Sequence, residues 1–149
     1  MEGTFDTIET QAPPEVVFAV VADVDRYPEW ATGVRLTEVL ERDREGRAQR
    51  ARFVVEGMIK EISYVLRYRY DPPRRISWTA EPGEDIEKME GYYELTPLES
   101  GGTQVVYVLR VKPAFSVPGF LRRQAEKQIV GAALRGLKRR AEEGAGAQA

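Results

Sequence analysis

Seven tyrosines and two tryptophans carry most of the chemical reach of this 149-residue chain, which has no histidine and no cysteine. In "EISYVLRYRYD", Ile62, Tyr64, Leu66, Tyr68 and Tyr70 alternate with Glu61, Ser63, Val65, Arg67 and Arg69. A period of two puts the first set on one face of a β-strand. Phenols gathered on one face can donate hydrogen bonds to the oxygens of a flat ligand, or to an enolate as it forms. A second aromatic step, "DRYPEW", sets Tyr27 and Trp30 around Pro28 at the end of an apolar helical run. These two rings either cap a core or stand at the rim of a pocket, and the reading favours the rim.

The missing residue types exclude whole classes of chemistry. Without histidine there is no Ser-His-Asp catalysis, no zinc hydrolysis and no facial-triad iron site within the chain. Without cysteine there are no disulfides and no thiolate ligands. Acid–base work falls to Asp, Glu, Lys, Tyr or Arg. No calcium-loop spacing occurs, so no metal and no cofactor is expected. Arg50, Arg52, Arg67 and Arg69 stand at even spacing as an anion clamp or as a solvated outer face. Alternation against Tyr and Leu puts Arg67 and Arg69 outside, while Arg52 and Glu56 stay open. Glu90 and Glu94 alternate with Met89 and Tyr93 and should face water. No carboxylate is placed inside by its pattern, which counts against proton-transfer catalysis.

Acidic and basic residues nearly balance, 24 against 22, so no nucleic-acid partner is expected. The N-terminus lacks a basic region followed by an apolar one, and no apolar run approaches the ~20 residues of a membrane span, which makes the cytoplasm the expected location.

These residues need elements to position them. "TFDTIETQ" reads as a strand, and Pro13 and Pro14 open a helix whose apolar content is Val16, Val17, Phe18, Val20 and Val21. Pro28 disfavours a helical Tyr27, so this helix should stop before it, with "PEWAT" starting a second short turn that Gly33 ends. Six strands follow between residues 34 and 112, with turns at "REG", at Gly57–Met58, at "DPPRR", at "EPGED" and at "PLESGG". The matching inward sets are Ile76 and Trp78; Met89, Gly91, Tyr93 and Leu95; and Val105, Tyr107, Leu109 and Val111. A closing helix over 118–143 carries Leu121, Ala125, Ile129, Ala132, Ala133 and Leu137 as one stripe, with Arg123, Lys127, Arg135 and Lys138 opposite. That basic face is an ordinary solvated one or touches anionic lipid or RNA, with Glu126, Glu142 and Glu143 interrupting it. The reading is one domain over 1–143 and a disordered tail over 144–149.

"APPEVVFAVVADVDRYPEW", "MEGYYELTPLESGGTQVVYVLRVKP" and the closing amphipathic helix resemble the polyketide cyclase/dehydrase branch of the START-related helix-grip superfamily. The resemblance implies an α+β fold: a curved antiparallel sheet of about seven strands wrapped around a long C-terminal helix, with two short helices after the first strand. It also implies a cavity between sheet and helix. Tyr27, Trp30, Tyr64, Leu66, Tyr68, Trp78, Met89, Tyr93, Tyr107 and Ile129 are the expected lining. The expected function is binding of a hydrophobic small molecule: aromatic, polyketide, lipid or isoprenoid-like. The alternatives are a polyketide aromatase/cyclase-dehydratase working through Tyr or Arg donors, and a membrane- or ribosome-associated accessory protein. Partners would be that small molecule, with peripheral membrane contact through the basic helix, in a monomer or homodimer.

Overall fold

Short connections between long strands force neighbours to run antiparallel. A computed structural model describes residues 3–57 and 60–148, and among these seven strands form one sheet. They are β1 (Thr4–Thr10), β2 (Val34–Arg42), β3 (Ala48–Glu56), β4 (Glu61–Asp71), β5 (Arg75–Ala80), β6 (Ile86–Pro97) and β7 (Thr103–Pro113). All pairs are antiparallel, in the order β1-β7-β6-β5-β4-β3-β2, so β1 and β2 are the edges. The helices α1 (Pro14–Ala22) and α2 (Tyr27–Trp30) follow β1, and α3 (Gly119–Gln148) closes the chain. This is the α+β helix-grip arrangement that the resemblance implies.

Local chemistry explains the turns. Gly46, at φ 84°, supplies the left-handed residue between β2 and β3, and the Asp43 carboxylate accepts the amides of Glu45 and Arg47 there. The expected Gly57–Met58 turn includes Met58, which lies outside the described residues. One face of the sheet packs against α1 and α3. Leu66, Tyr68, Ile76, Trp78, Tyr93, Leu95, Val105, Tyr107 and Leu109 are buried on it, whereas Arg67, Arg69, Glu90 and Glu94 are exposed. Each fully buried aliphatic chain, such as Ile76, Val105 or Leu137, contributes roughly 1.5–3 kcal/mol.

α1 has no side-chain cap, and burial of Val17, Phe18 and Val21 holds its β-branched sequence in a helix. The exclusion of Tyr27 from helical geometry fails. After a 3-10 turn over Val24–Arg26, Tyr27 adopts φ −54° and ψ −38° although Pro28 follows. Its hydroxyl donates to the Val21 carbonyl, and its ring packs on Trp30 and Phe53 with centroids 4.9 and 5.8 Å away. These tertiary contacts outweigh the steric bias before proline.

α3 also differs from its expected orientation. It buries Glu126, Val130, Leu134, Leu137 and Ala141, while Ile129 is 49% exposed and Leu121 and Ala125 are only half-buried. The helix is thus rotated by about one residue, or roughly 100°, from the expected stripe. An edge amide explains why a carboxylate replaces an apolar residue. Leu109 is the last β7 residue paired to β1 in the ladder, so the amide of Val111 needs another acceptor. Glu126 Oε2 accepts it at 3.0 Å, while Oε1 accepts the Thr4 hydroxyl at 2.9 Å. Towards the other end of α3, Glu142 Oε2 accepts the Thr10 hydroxyl at 2.8 Å and the Gln11 amide at 3.2 Å. Both ends of β1 are therefore tied to α3. The segment expected as a tail is helical as far as Gln148, and Ala149 lies outside the described residues.

Candidate functional site

Register brings the inward rings of adjacent strands side by side. Tyr68 lies opposite Trp78, and Tyr93 opposite Tyr107. Ring centroids are 6.2 Å apart for Tyr68 and Trp78, 5.5 Å for Trp78 and Tyr93, 5.7 Å for Trp78 and Tyr107, and 4.4 Å for Tyr93 and Tyr107. A second group adjoins it. Phe53 stacks on Tyr64 at 5.5 Å, and Tyr27 joins Phe53 to Trp30. Tilted and edge-on pairs at these distances attract beyond the area they bury.

The hydroxyls fall into two kinds. Tyr27 donates to the Val21 carbonyl and Tyr70 to the Ala48 carbonyl. The hydroxyls of Tyr64, Tyr68, Tyr93 and Tyr107 have no hydrogen-bond partner among the described residues. Yet no described side-chain polar atom is both sealed from solvent and unpaired. Burial pushes all four phenols above their ordinary value of 10, so at neutral pH they are neutral donors.

Of the ten residues expected to line a cavity, Tyr64, Leu66, Tyr68, Trp78, Met89, Tyr93 and Tyr107 share the inner face. Tyr27 and Trp30, at 8% and 9% exposure, belong to the buried cluster. Ile129 points away from the sheet. On this face the rings pack on one another, and Phe18 of α1 meets Tyr70 edge-on with centroids 6.3 Å apart. Two open clefts lie elsewhere. One, of about 210 Å³, runs between the end of α1 and the β2–β3 turn, and one of about 240 Å³ separates β1 from α3.

The arginines lie on the outer face. Arg50 donates from Nε and Nη2 to Glu81 at 2.7 and 3.0 Å, and Arg67 Nε lies 2.8 Å from the same carboxylate. The hydrogen bonds from Arg50 lead in holding Glu81 below the usual carboxylate range. Arg52 reaches Glu38 and Ser63, and Glu56 faces Arg35, which resolves both open orientations as outward. At one end of the sheet, Asp85 accepts the Ser63 amide at 2.9 Å and pairs with Lys60 at 2.7 Å, and these bonds, Lys60 first, lower its pKa.

Sequence reasoning missed Phe53 and Glu126. Phe53 shares a face with Ala51 and Val55 on β3, alternating with Arg52 and Val54, so the period of two could have found it. Glu126 stands four residues before Val130 in the stripe Val130, Leu134, Leu137 and Ala141, a spacing that also carried a signal. It is the one buried charged side chain among the described residues, and Arg122 Nη1 lies 3.3 Å from it. Among those residues no group of three carboxylates is arranged to hold a metal ion, and no helix is long and apolar enough to cross a membrane.

Residues 10–138 match the family model described as polyketide cyclase/dehydrase and lipid transport. Over 122 residues the chain is 32% identical to the granaticin polyketide synthase bifunctional cyclase/dehydratase of Streptomyces violaceoruber, covering 80% of this chain and 37% of that protein. The chain thus spans little more than a third of that relative. A START superfamily protein from Mycobacterium smegmatis superposes with a TM-score of 0.86 at 22% identity, covering 95% of this chain and 97% of that one. The Zhui aromatase/cyclase from Streptomyces sp. R1128 superposes at 0.81 with 21% identity, covering 95% and 93%. At such identities the two structural likenesses are ones of fold.

Proposed function

Because the chain belongs to the polyketide cyclase/dehydrase and lipid transport family, we propose that it binds a neutral, hydrophobic, ring-containing small molecule between the sheet and α3. One observation carries this reading: four phenols on the inner face, Tyr64, Tyr68, Tyr93 and Tyr107, have hydroxyls without a hydrogen-bond partner among the described residues. A core built only for stability pairs such groups or omits them, because an unmet donor costs about 1–3 kcal/mol. Four donors among aromatic walls suit a flat molecule bearing carbonyl or hydroxyl oxygens. Native mass spectrometry of the purified protein tests the reading, together with a thermal-shift screen of quinones, flavonoid-like phenols and acyl lipids. A ligand present at a hundred times its Kd adds about 2.7 kcal/mol of stability. Protein that retains nothing and that no such compound stabilises would sink the proposal.

A second reading, closure and dehydration of a poly-β-ketone, is favoured by the 32% identity to the granaticin cyclase/dehydratase. Neutral phenols would stabilise the enolate while the walls hold the chain folded. The buried carboxylate offers no proton-transfer group for it, since Glu126 is held by Thr4, Val111 and Arg122 at the β1 edge. Turnover of a poly-β-ketone thioester that slows in Tyr93→Phe would support it, and an unchanged rate in all four Tyr→Phe variants would count against it.

A further inference from the structure

Among the described residues the most exposed large apolar side chains are Phe5, at 72%, and Phe120, at 63%. They are far apart in sequence, but Phe5 lines a cleft on whose helical side Phe120 stands three residues ahead of Arg123. Gly3, Thr4 and Phe5 of β1 face Arg123, Glu126 and Lys127 of α3 across the opening of about 240 Å³. Phe120 precedes Arg123 by three residues and Lys127 by seven, which sets all three on one side of the helix. The acid between the two cations is already engaged, because Glu126 accepts hydrogen bonds from Thr4 and Val111 and pairs with Arg122. Arg123 and Lys127 are exposed and have no carboxylate partner among the described residues. In a chain of net charge −2 this local excess of positive charge is no by-product of a basic composition.

We propose that this end of the molecule docks on an anionic lipid surface, with Phe5 and Phe120 entering the acyl boundary and Arg123 and Lys127 meeting the headgroup phosphates. Two rings flanking two unpaired cations match the layered chemistry of a bilayer interface, apolar beside anionic. A nucleic acid would call for a longer basic track spaced along a phosphate backbone. The docking stands apart from the small-molecule reading: a protein that binds vesicles and retains no ligand keeps this proposal and loses the other.

Sedimentation of the full chain with vesicles of phosphatidylcholine, alone or mixed with phosphatidylglycerol, tests it. The expected result is binding to the mixed vesicles only, weakening as salt rises. Each cation is worth about fivefold in partitioning, so Arg123→Glu with Lys127→Glu should lower binding by at least about 25-fold. Phe120→Ser, and separately Phe5→Ser, should each lower it by about tenfold. Leu36→Ser, which removes an exposed apolar chain at the far β2 edge, should leave it unchanged. All these side chains are exposed, so the variants should keep the wild-type circular dichroism. Equal binding to neutral vesicles, no binding to either kind, or indifference to both the charge and the Phe variants would overturn the proposal. So would tighter association with single-stranded RNA than with vesicles, or vesicle-independent self-association that Phe120→Ser abolishes.

Discussion

The indole of Trp78 occupies the space that a side chain at Gly91 would need. The two residues are cross-strand partners, and a β-carbon on Gly91 would lie 2.8 Å from Trp78 Cζ2 and 2.5 Å from the Val108 carbonyl oxygen. Trp78 in turn touches Tyr68, Tyr93 and Tyr107, so this one glycine sets the position of the ring at the centre of the group. Gly91→Ala should therefore destabilise the protein by about 1–3 kcal/mol through overpacking. Urea denaturation measures the loss, and a shift in tryptophan fluorescence should accompany it. A midpoint equal to that of the wild type would show that the sheet absorbs the methyl group.

Removing a hydroxyl should have opposite consequences at the two kinds of tyrosine. Tyr27→Phe and Tyr70→Phe lose bonds to the Val21 and Ala48 carbonyls and should each cost about 1 kcal/mol of stability. Tyr64→Phe, Tyr68→Phe, Tyr93→Phe and Tyr107→Phe lose no protein partner, so the empty protein should be as stable or slightly more so. Affinity for any captured ring compound should fall by about three- to tenfold for each hydroxyl that the ligand uses. Paired thermal melts with and without ligand separate the two effects.

Glu126→Ala should be among the most damaging single substitutions in α3. It leaves the Val111 amide and the Thr4 hydroxyl without their acceptor near the β1 edge, for a cost of about 2–4 kcal/mol. Glu126→Gln keeps an acceptor oxygen for one of the two donors and should recover part of that stability. Hydrogen exchange should show the damage first in the Val111 amide. Equal stability of the Ala and Gln variants would mean that the carboxylate oxygens contribute little.

Alkaline pH should unfold the protein through its tyrosines. Burial raises the phenols of Tyr27, Tyr64, Tyr68, Tyr93 and Tyr107 above the ordinary value of 10.0. Their contribution to stability is complete below that value. As pH rises past it, the unfolded chain releases these protons while the folded chain still holds them, so the folded state loses ground until its own phenols ionise. Melting temperature should fall steadily above about pH 10, and tyrosinate absorbance from these five rings should appear together with the loss of helical signal. Ionisation of all five ahead of any structural change would contradict their burial.

Much of the inner face was readable in advance because a strand offers its side chains only two directions. Once Tyr64 and Tyr68 were set against Arg67 and Arg69, the orientation of the rest of β4 followed, and the same logic oriented Trp78, Tyr93 and Tyr107. A helix gives no such binary choice. On α3, Leu121 and Ile129 imitate a core stripe, while the true one begins with a carboxylate. The choice between them rests on an amide at Val111 and a hydroxyl at Thr4, both distant in sequence.

Residue order alone determined the antiparallel meander, the closing helix and the face on which the rings gather, because turn chemistry and the two-residue period act between near neighbours. Tertiary structure decided the rotation of α3, the helical Tyr27 before proline and the burial of Trp30. Those outcomes depend on which distant groups meet, since a buried donor must find an acceptor and a ring must find a gap wherever the folded chain provides one.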